Sequence, residues 1–356
     1  MISTVEYRPF MAEITYKDSG VDIDAGAKMV QKIKPAIAST MRPEVLSNVG
    51  GFASLVSMPA GYKDPLMVAG TDGVGTKLKV AFDMNDHRTV GIDLVAMCAN
   101  DVLAVGGESL FFLDYYACSD LNPEAGAQVV EGIAEGCRQA GAALVGGETA
   151  ELPGFYKAGE YDLAGFLVGV VERDAVITGE KVQAGDAVIG LESSGLHSNG
   201  YSLARKIVEN AGIGFDETPA DFKQTIGRAL LEPTKIYVKP VVALMKTVQV
   251  RALAHITGGG LTENIPRTIP EGLGVKLKAG WHVPQIFRWL AKNGPVAPSE
   301  MLRTFNMGVG MTVVVQTQDV ERAIEFLKKE GVQAAQVGEV VHISEGEARV
   351  EVEGTV

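Results

Sequence analysis

Residues 70–77 read GTDGVGTK. Gly70 and Gly75 have the spacing of a Walker A phosphate loop, but Thr76 precedes Lys77 and Asp72 stands inside the turn. Gly73 and Gly75 let a backbone turn tightly and approach a ligand. A carboxylate there repels bare phosphate but holds Mg²⁺, which in turn holds phosphate oxygens. Lys77 adds a point charge for the same phosphates. The plainer reading is an Asp-Gly turn followed by a solvated lysine.

Two further acids fall where structural elements should end or bury. Asp101 lies in the helical stretch TVGIDLVAMCANDVLAVGG among apolar neighbours, eight positions after Asp93 and near the same face. An acid in so apolar a helix needs a partner, either a cation or a backbone N–H. Glu148 closes AALVGGE, after Gly146 and Gly147. Mg²⁺ usually takes one or two carboxylates plus substrate phosphates, so Asp72, Asp101 and Glu148 need not all bind it directly.

The segment SSGLHSNGYSLAR, residues 193–205, has the features of an anion site. Ser198 or Asn199 can cap a helix beginning near Tyr201, while Gly195 and Gly200 leave backbone N–H groups free to converge. His197, beside that helix start, can donate to an anion or move a proton; otherwise the segment is a capped helix with a structural histidine. Gly258, Gly259 and Gly260 offer a second backbone nest, with Glu263, Asn264 and Arg267 behind it, or else a plain strand-to-helix turn. His87, His255, His282 and His342 have no metal-site spacing and read as surface or satisfied core histidines. Cys98, Cys118 and Cys137 form no CxxC pair and read as structural.

The elements that must hold these residues follow from pattern. Strands are expected at 65–72, 108–117, 142–148, 161–172 and 187–193, and later at 252–260, 308–316 and 333–341. Helices are expected at 89–107, 122–141, 199–212 and 319–331, with another at 235–248 kinked by Pro240. The near-repeat VGGES and VGGET falls in different contexts and is read as coincidence. The chain thus divides into an arm at 1–64, an α/β unit at 65–172 and a second α/β domain at 173–356.

Composition agrees with a soluble globular protein: 356 residues, 46% hydrophobic and 21% charged. The formal net charge of -12 argues against general binding of nucleic acid or anionic membrane, so any phosphate must be offset locally by metal or backbone N–H groups. The N-terminus lacks an apolar targeting segment, no run is long enough to span a bilayer, and a cytoplasmic location is expected.

Read together, eight ordered blocks resemble the phosphoribosylformylglycinamidine cyclo-ligases (AIR synthetases) of purine biosynthesis. They are YKDSGVDIDAG (16–26), GTDGVGTKLKVA (70–81), GIDLVAMCANDVL (91–103), FFLDYYA (111–117), LVGGETAELPGFY (144–156), SSGLHSNGYSLAR (193–205), HITGGGLTENIPR (255–267) and FNMGVGM (305–311). GGES at 106–109 departs from the Ala-Glu-Pro type of turn expected there and makes Glu108 a weak candidate.

The resemblance implies a two-domain α/β (α+β) fold and a homodimer. The N-terminal sheets would pair across it into a barrel, with an α/β C-terminal domain beside each. It implies ATP and Mg²⁺ as cofactors, and cyclisation of formylglycinamidine ribonucleotide to aminoimidazole ribonucleotide with release of ADP and phosphate. Asp72, Asp101 and Glu148 would then be the metal acids. Gly73, Gly75, Thr76, Lys77, Lys34 and Asn100 would meet ATP. Ser194, Gly195, His197, Ser198, Asn199, Gly200 and Gly258 to Gly260 would meet substrate, with His197, Lys77 and Asp72 catalytic.

Rival readings are another ATP-dependent enzyme of the superfamily or a non-catalytic nucleotide-binding protein on the same fold. Against selenophosphate synthetase, no Cys precedes Cys98. Against the hydrogenase maturation protein, the sequence ends in EVEGTV without a terminal Cys, and thiamine-phosphate kinase lacks SGLHSNGYS in this form.

Overall fold

The computed structural model of the protein describes residues 14–47 and 50–354, so the first 13 residues of the expected arm lie outside it. The first domain opens with α1 (Ile23–Ala38), capped by Asp22, whose carboxylate accepts from the N–H groups of Asp24 and Ala25. The arm carries more than the sequence reading gave it. Met29 and Ile37 of α1 are buried, and Met29 packs on Gly126.

Then come β1 (Pro65–Gly73), α2 (Lys77–Met84), α3 (Val90–Ala104), β2 (Glu108–Cys118), α4 (Pro123–Ala140), β3 (Ala143–Glu151) and β4 (Tyr161–Glu172). Among the described residues these strands form a four-stranded sheet in the order β1-β4-β2-β3, antiparallel except for β2 beside β3. α4 begins as its sequence dictates. Asn122 accepts from the N–H groups of Glu124 and Ala125, Pro123 fills the first position, and Gly141 closes the end at φ 77°.

Helix α3 is buried along most of its length because it is covered on three sides: by the sheet, by α4 and by the second domain. Gly91 and Gly132 let α3 and α4 cross backbone to backbone; a Cβ on either would collide with the other helix. Among the described residues no helix covers the opposite face of the sheet. Its side chains alternate outward through Met67, Leu113, Tyr115 and Phe166, and Met67 and Phe166 are exposed.

The second domain contains β5 (Ala187–Glu192), α5 (Tyr201–Asn210), α6 (Ile226–Leu230), α7 (Val238–Met245), β6 (Ala252–His255), α8 (Gly260–Asn264), β7 (Leu273–Lys278), α9 (Gln285–Asn293), α10 (Pro298–Thr304), β8 (Val309–Val315), α11 (Val320–Lys329), β9 (Ala334–His342) and β10 (Val350–Glu353). Its sheet runs β10-β7-β9-β5-β8-β6, with only β10 and β7 parallel. The structure corrects the expected kink at Pro240. Residues 235–237 are not helical, and Pro240 falls in the first turn of α7, where a missing N–H costs nothing. One apolar core runs through both domains, joining Leu94 and Leu103 of α3 to Tyr237, Val241 and Met311. A second fills the far side of the six-stranded sheet.

Candidate functional site

Two of the three acids picked out from sequence, Asp72 and Asp101, lie where α3 meets the second domain. Asp72 is the next-to-last residue of β1, and its Oδ1 accepts the Gly73 N–H at 2.7 Å. Burial raises its pKa above the ordinary carboxylate value, and the negative charge of Asp101 pushes the same way. Asp101 is exposed on α3, with its Oδ1 2.8 Å from Nδ1 of His255, the last residue of β6. The next contact inward is Asn100. Its Nδ2 donates to the Lys235 carbonyl at 2.9 Å and its Oδ1 accepts the Tyr237 N–H at 3.0 Å. His255 protonated on Nδ1 satisfies Asp101, and leaves Nε2 to accept from Asn100 at 3.5 Å.

Lys77 lies elsewhere than the phosphate reading placed it. It is fully buried, and its ammonium donates to Asp93 Oδ1 at 2.9 Å, the His197 carbonyl at 3.0 Å and the Glu232 carbonyl at 2.7 Å. Those three acceptors use its three protons. Asp93 is equally buried and also accepts from the Thr234 N–H and hydroxyl, at 2.7 and 2.6 Å. The pair therefore ties the first domain to two loops of the second. Burial lowers the lysine pKa while Asp93 opposes it. Asn100 is likewise a buried joint between domains and presents no open face for a cofactor.

The loop at 193–200 is held from several sides. Ser194 donates its N–H to His197 Nε2 at 3.3 Å and its hydroxyl to the Pro233 carbonyl at 2.6 Å. Gly195 offers its carbonyl to Asn306 at 2.9 Å, and Ser198 shares a hydrogen bond with Thr234 at 3.0 Å. Asn199 Oδ1 accepts the Gly258 N–H at 3.0 Å, which joins this loop to the 258–260 turn. Neither Ser198 nor Asn199 caps α5. The N-cap is Gly200 in the left-handed region at φ 78°, without a side-chain bond, because both candidate caps are drawn to neighbouring loops.

His197 is buried and left-handed at φ 62°, a conformation that costs a non-glycine residue on the order of 1 kcal/mol or more. Burial drives its pKa well below the ordinary value, helped by His255, Lys77 and Lys235. Since Nε2 accepts, the proton sits on Nδ1, which has no partner among the described residues. Gly310 makes room for the ring; a Cβ there would strike His197 and the Tyr237 hydroxyl.

The profile of the N-terminal domain of AIR synthase related protein matches residues 55–171, and that of the C-terminal domain matches 183–351. A protein of Myxococcus xanthus named phosphoribosylformylglycinamidine cyclo-ligase is 58% identical over 337 residues, covering 94% of this chain and 97% of its own. One of Methylobacillus flagellatus with the same name is 53% identical over 338 residues, with 94% and 97% covered. This chain belongs to the phosphoribosylformylglycinamidine cyclo-ligase family.

Solved structures extend the likeness in fold. A thiamine-monophosphate kinase of Stenotrophomonas maltophilia superposes with a TM-score of 0.67 at 16% identity, over 91% of this chain and 96% of its own. A hydrogenase maturation protein HypE in complex with ATP gives 0.66 at 18%, over 94% of each. No helix of the described residues is long and apolar enough to cross a membrane.

Against this family membership, the remaining expected residues fall unevenly. Gly73, Gly75 and Thr76 form the turn after β1; Gly75 has φ 69°, and Thr76 meets Ser202 at 3.1 Å. Gly258 to Gly260 lead into α8, with Asn264 bonded to the carbonyls of residues 257, 258 and 260. Lys34 is on the exposed side of α1, bonded to Gln31 at 3.1 Å, and among the described residues it joins neither loop nor acid.

Glu148 does not join Asp72. The pairing register puts Asp72, Gly165, Asp114 and Gly147 on one rung and Gly73, Ala164, Tyr115 and Glu148 on the next. Adjacent rungs point to opposite faces, and three strand spacings amount to ~14 Å. Among the described residues no three His, Cys, Asp or Glu side chains are gathered for a metal. Asp72 and Asp101, near enough that the charge of one raises the pKa of the other, fit an Mg²⁺ ion that draws its other ligands from phosphates and water.

Sequence reading missed three contributors: His255, Lys235 and Thr234. His255 had a usable signal, since it ends a strand directly before ITGGG. The other two had none, because their roles come from contacts with residues more than a hundred positions away.

Proposed function

We propose that this chain catalyses the ATP-dependent cyclisation of formylglycinamidine ribonucleotide to 5-aminoimidazole ribonucleotide, releasing ADP and phosphate. The observation that carries the reading is the bond from Asp101 to His255, three residues before the 258–260 turn, together with the bond from that turn to Asn199 of the 193–200 loop, in a member of this family. The formamide oxygen is a poor leaving group until the γ-phosphoryl group of ATP is transferred to it. The neighbouring amine nitrogen then attacks the activated carbon, the five-membered ring closes, and phosphate leaves with the former formamide oxygen. Catalysis of this kind is mostly positioning and neutralisation of charge.

Asp72 and Asp101 would hold Mg²⁺, whose charge offsets that of the ATP phosphates. The N–H groups of Gly73, Gly75 and Thr76 lie at the same turn. Substrate would be held by the 194–200 loop and the 258–260 turn. The Nδ1–H of His197 has no internal partner among the described residues, but the ring is fully buried, so His197 would act by shaping the loop that meets substrate rather than by touching it. Lys77 acts behind these groups as a positioning residue, through the His197 carbonyl.

The outer face of the four-stranded sheet would be covered by a second copy, closing the two sheets into a barrel. Met67 and Phe166 stand exposed there with Leu113 and Tyr115 half-buried between them and Glu148, so a partner on this face would cover that acid too. Such a protein sediments as a dimer, and Phe166→Glu with Met67→Glu yields monomer; an unchanged dimer would place the interface elsewhere.

The test of function mixes protein, Mg·ATP and formylglycinamidine ribonucleotide, then follows ADP and the aminoimidazole. Equal yields of both are expected. ATP binding without substrate-dependent ADP would favour a nucleotide-binding protein instead.

A further inference from the structure

A cleft of about 780 Å³ lies apart from the acidic corner, built wholly from the second domain between the 192–194 segment, Lys235 and the face of α9. That volume is in the range of small-molecule sites. Arg288 and Lys292 are one turn apart on α9 and so share a face, while Ile286, Phe287 and Leu290 anchor the other side of the helix in the core. Lys235 is half-buried in the wall. Among the described residues none of the three cations has a carboxylate within 4.0 Å. In a chain of net charge -12 this is a local excess: three unpaired cations against two carboxylates, Glu192 and Asp221.

A half-buried ammonium without a counter-ion is costly unless something anionic visits it. Burial lowers the pKa of Lys235, with Glu192 opposing, which marks the unmet cost. A guanidinium and two ammonium groups suit a phosphomonoester. Glu192 suits the hydroxyls of a sugar, and the half-buried indole of Trp289 offers an apolar wall.

We infer that this cleft binds a sugar phosphate, with the phosphate against Lys235, Arg288 and Lys292 and the sugar hydroxyls against Glu192. The cleft communicates with the loop assigned to substrate. Ser194 lines it while donating to His197, and the Lys235 charge acts on the same imidazole. The inference deepens the proposed function, because that function supplies one sugar phosphate, the phosphoribosyl end of the substrate. A separate sugar phosphate acting as an effector has the same chemistry, and the experiment tells the two apart.

The probe is ribose 5-phosphate, titrated calorimetrically into the full chain and into the Arg288→Ala/Lys292→Ala variant. Both replaced side chains are exposed, so the variant keeps the fold. The wild type should bind, and the variant should bind at least about tenfold more weakly, the loss expected for one charged contact. If the substrate's own phosphate occupies the cleft, the variant raises KM for formylglycinamidine ribonucleotide by a similar factor, ribose 5-phosphate competes with it, and KM for ATP is the control. If an effector occupies it, ribose 5-phosphate still binds protein saturated with substrate, and that KM stays put. No binding by the wild type at millimolar probe, or equal binding by the variant, overturns the inference. Cyclisation by the same wild-type sample, measured in parallel, keeps that failure separate from a failure of the proposed function.

Discussion

Asp93 and Asp101 belong to one helix, eight residues and roughly 80° of rotation apart. Asp93 is fully buried, paired with Lys77 and bonded twice by Thr234. Asp101 is exposed, touched by His255 alone among its side-chain partners, and close to Asp72. Residue type does not separate them. What separates them is burial and the partner each one has. Asp93 is sealed from water, takes three hydrogen bonds on Oδ1 with the Lys77 ammonium 2.8 Å from Oδ2, and joins two domains; Asp101 faces solvent with its Oδ1 engaged by His255.

Breaking the buried acid should have the largest effect. Lys77→Met strands a buried carboxylate, and loss of one partner of such a pair costs ~3–5 kcal/mol. Urea unfolding should register that loss, and Lys77→Met with Asp93→Leu should recover part of it. If Lys77→Met unfolds like the wild type, the pair does not bolt the domains. The exposed acid should behave in the opposite way. Asp101→Asn, or Asp72→Asn, should leave the unfolding midpoint nearly unchanged while Mg-dependent ADP release falls by about 10²–10³, the range for losing one electrostatic contact to a transferring group. Full ADP release by Asp72→Asn would end the metal assignment.

The smallest effect sharpens the comparison with a third acid. Asp114 shares the rung of Asp72 but lies under the helices near Cys137, and burial pushes its pKa from 3.8 up to about 7. Between those values the folded chain keeps a proton that the unfolded chain gives up. This contribution to stability is therefore present at low pH and is lost as pH rises through about 7. Asp114→Asn should remove that slope and stabilise the protein at pH 8 by ~1–3 kcal/mol. Identical pH profiles for the two proteins would mean that Asp114 ionises freely.

How much of this was legible in sequence depended on range. β1 ending in Asp72, the apolar α3 and the Asn-Pro start of α4 are local patterns, and the structure has each of them. β7 and β10 were not foreseen. β10 is the edge strand and β7 its neighbour, both short and with charged alternate residues, so their runs do not stand out from loop. The Asp72–Asp101 corner was suggested by acids at element ends, but Glu148 was grouped with them because pairing register is not written in any one segment. Lys77 was misread for the same reason. Its acceptors are 16, 120 and 155 residues away, and a lysine is exposed by habit unless such partners exist.

Helix α3 is stitched into the second domain at both ends, through Asp93 to Thr234 and through Asn100 to residues 235 and 237. Two anchors about 10 Å apart on one rigid rod resist any swing of the domains across that rod, and the apolar core that runs through both domains resists rotation about it. A cleft between such domains keeps its width whether or not a ligand is present.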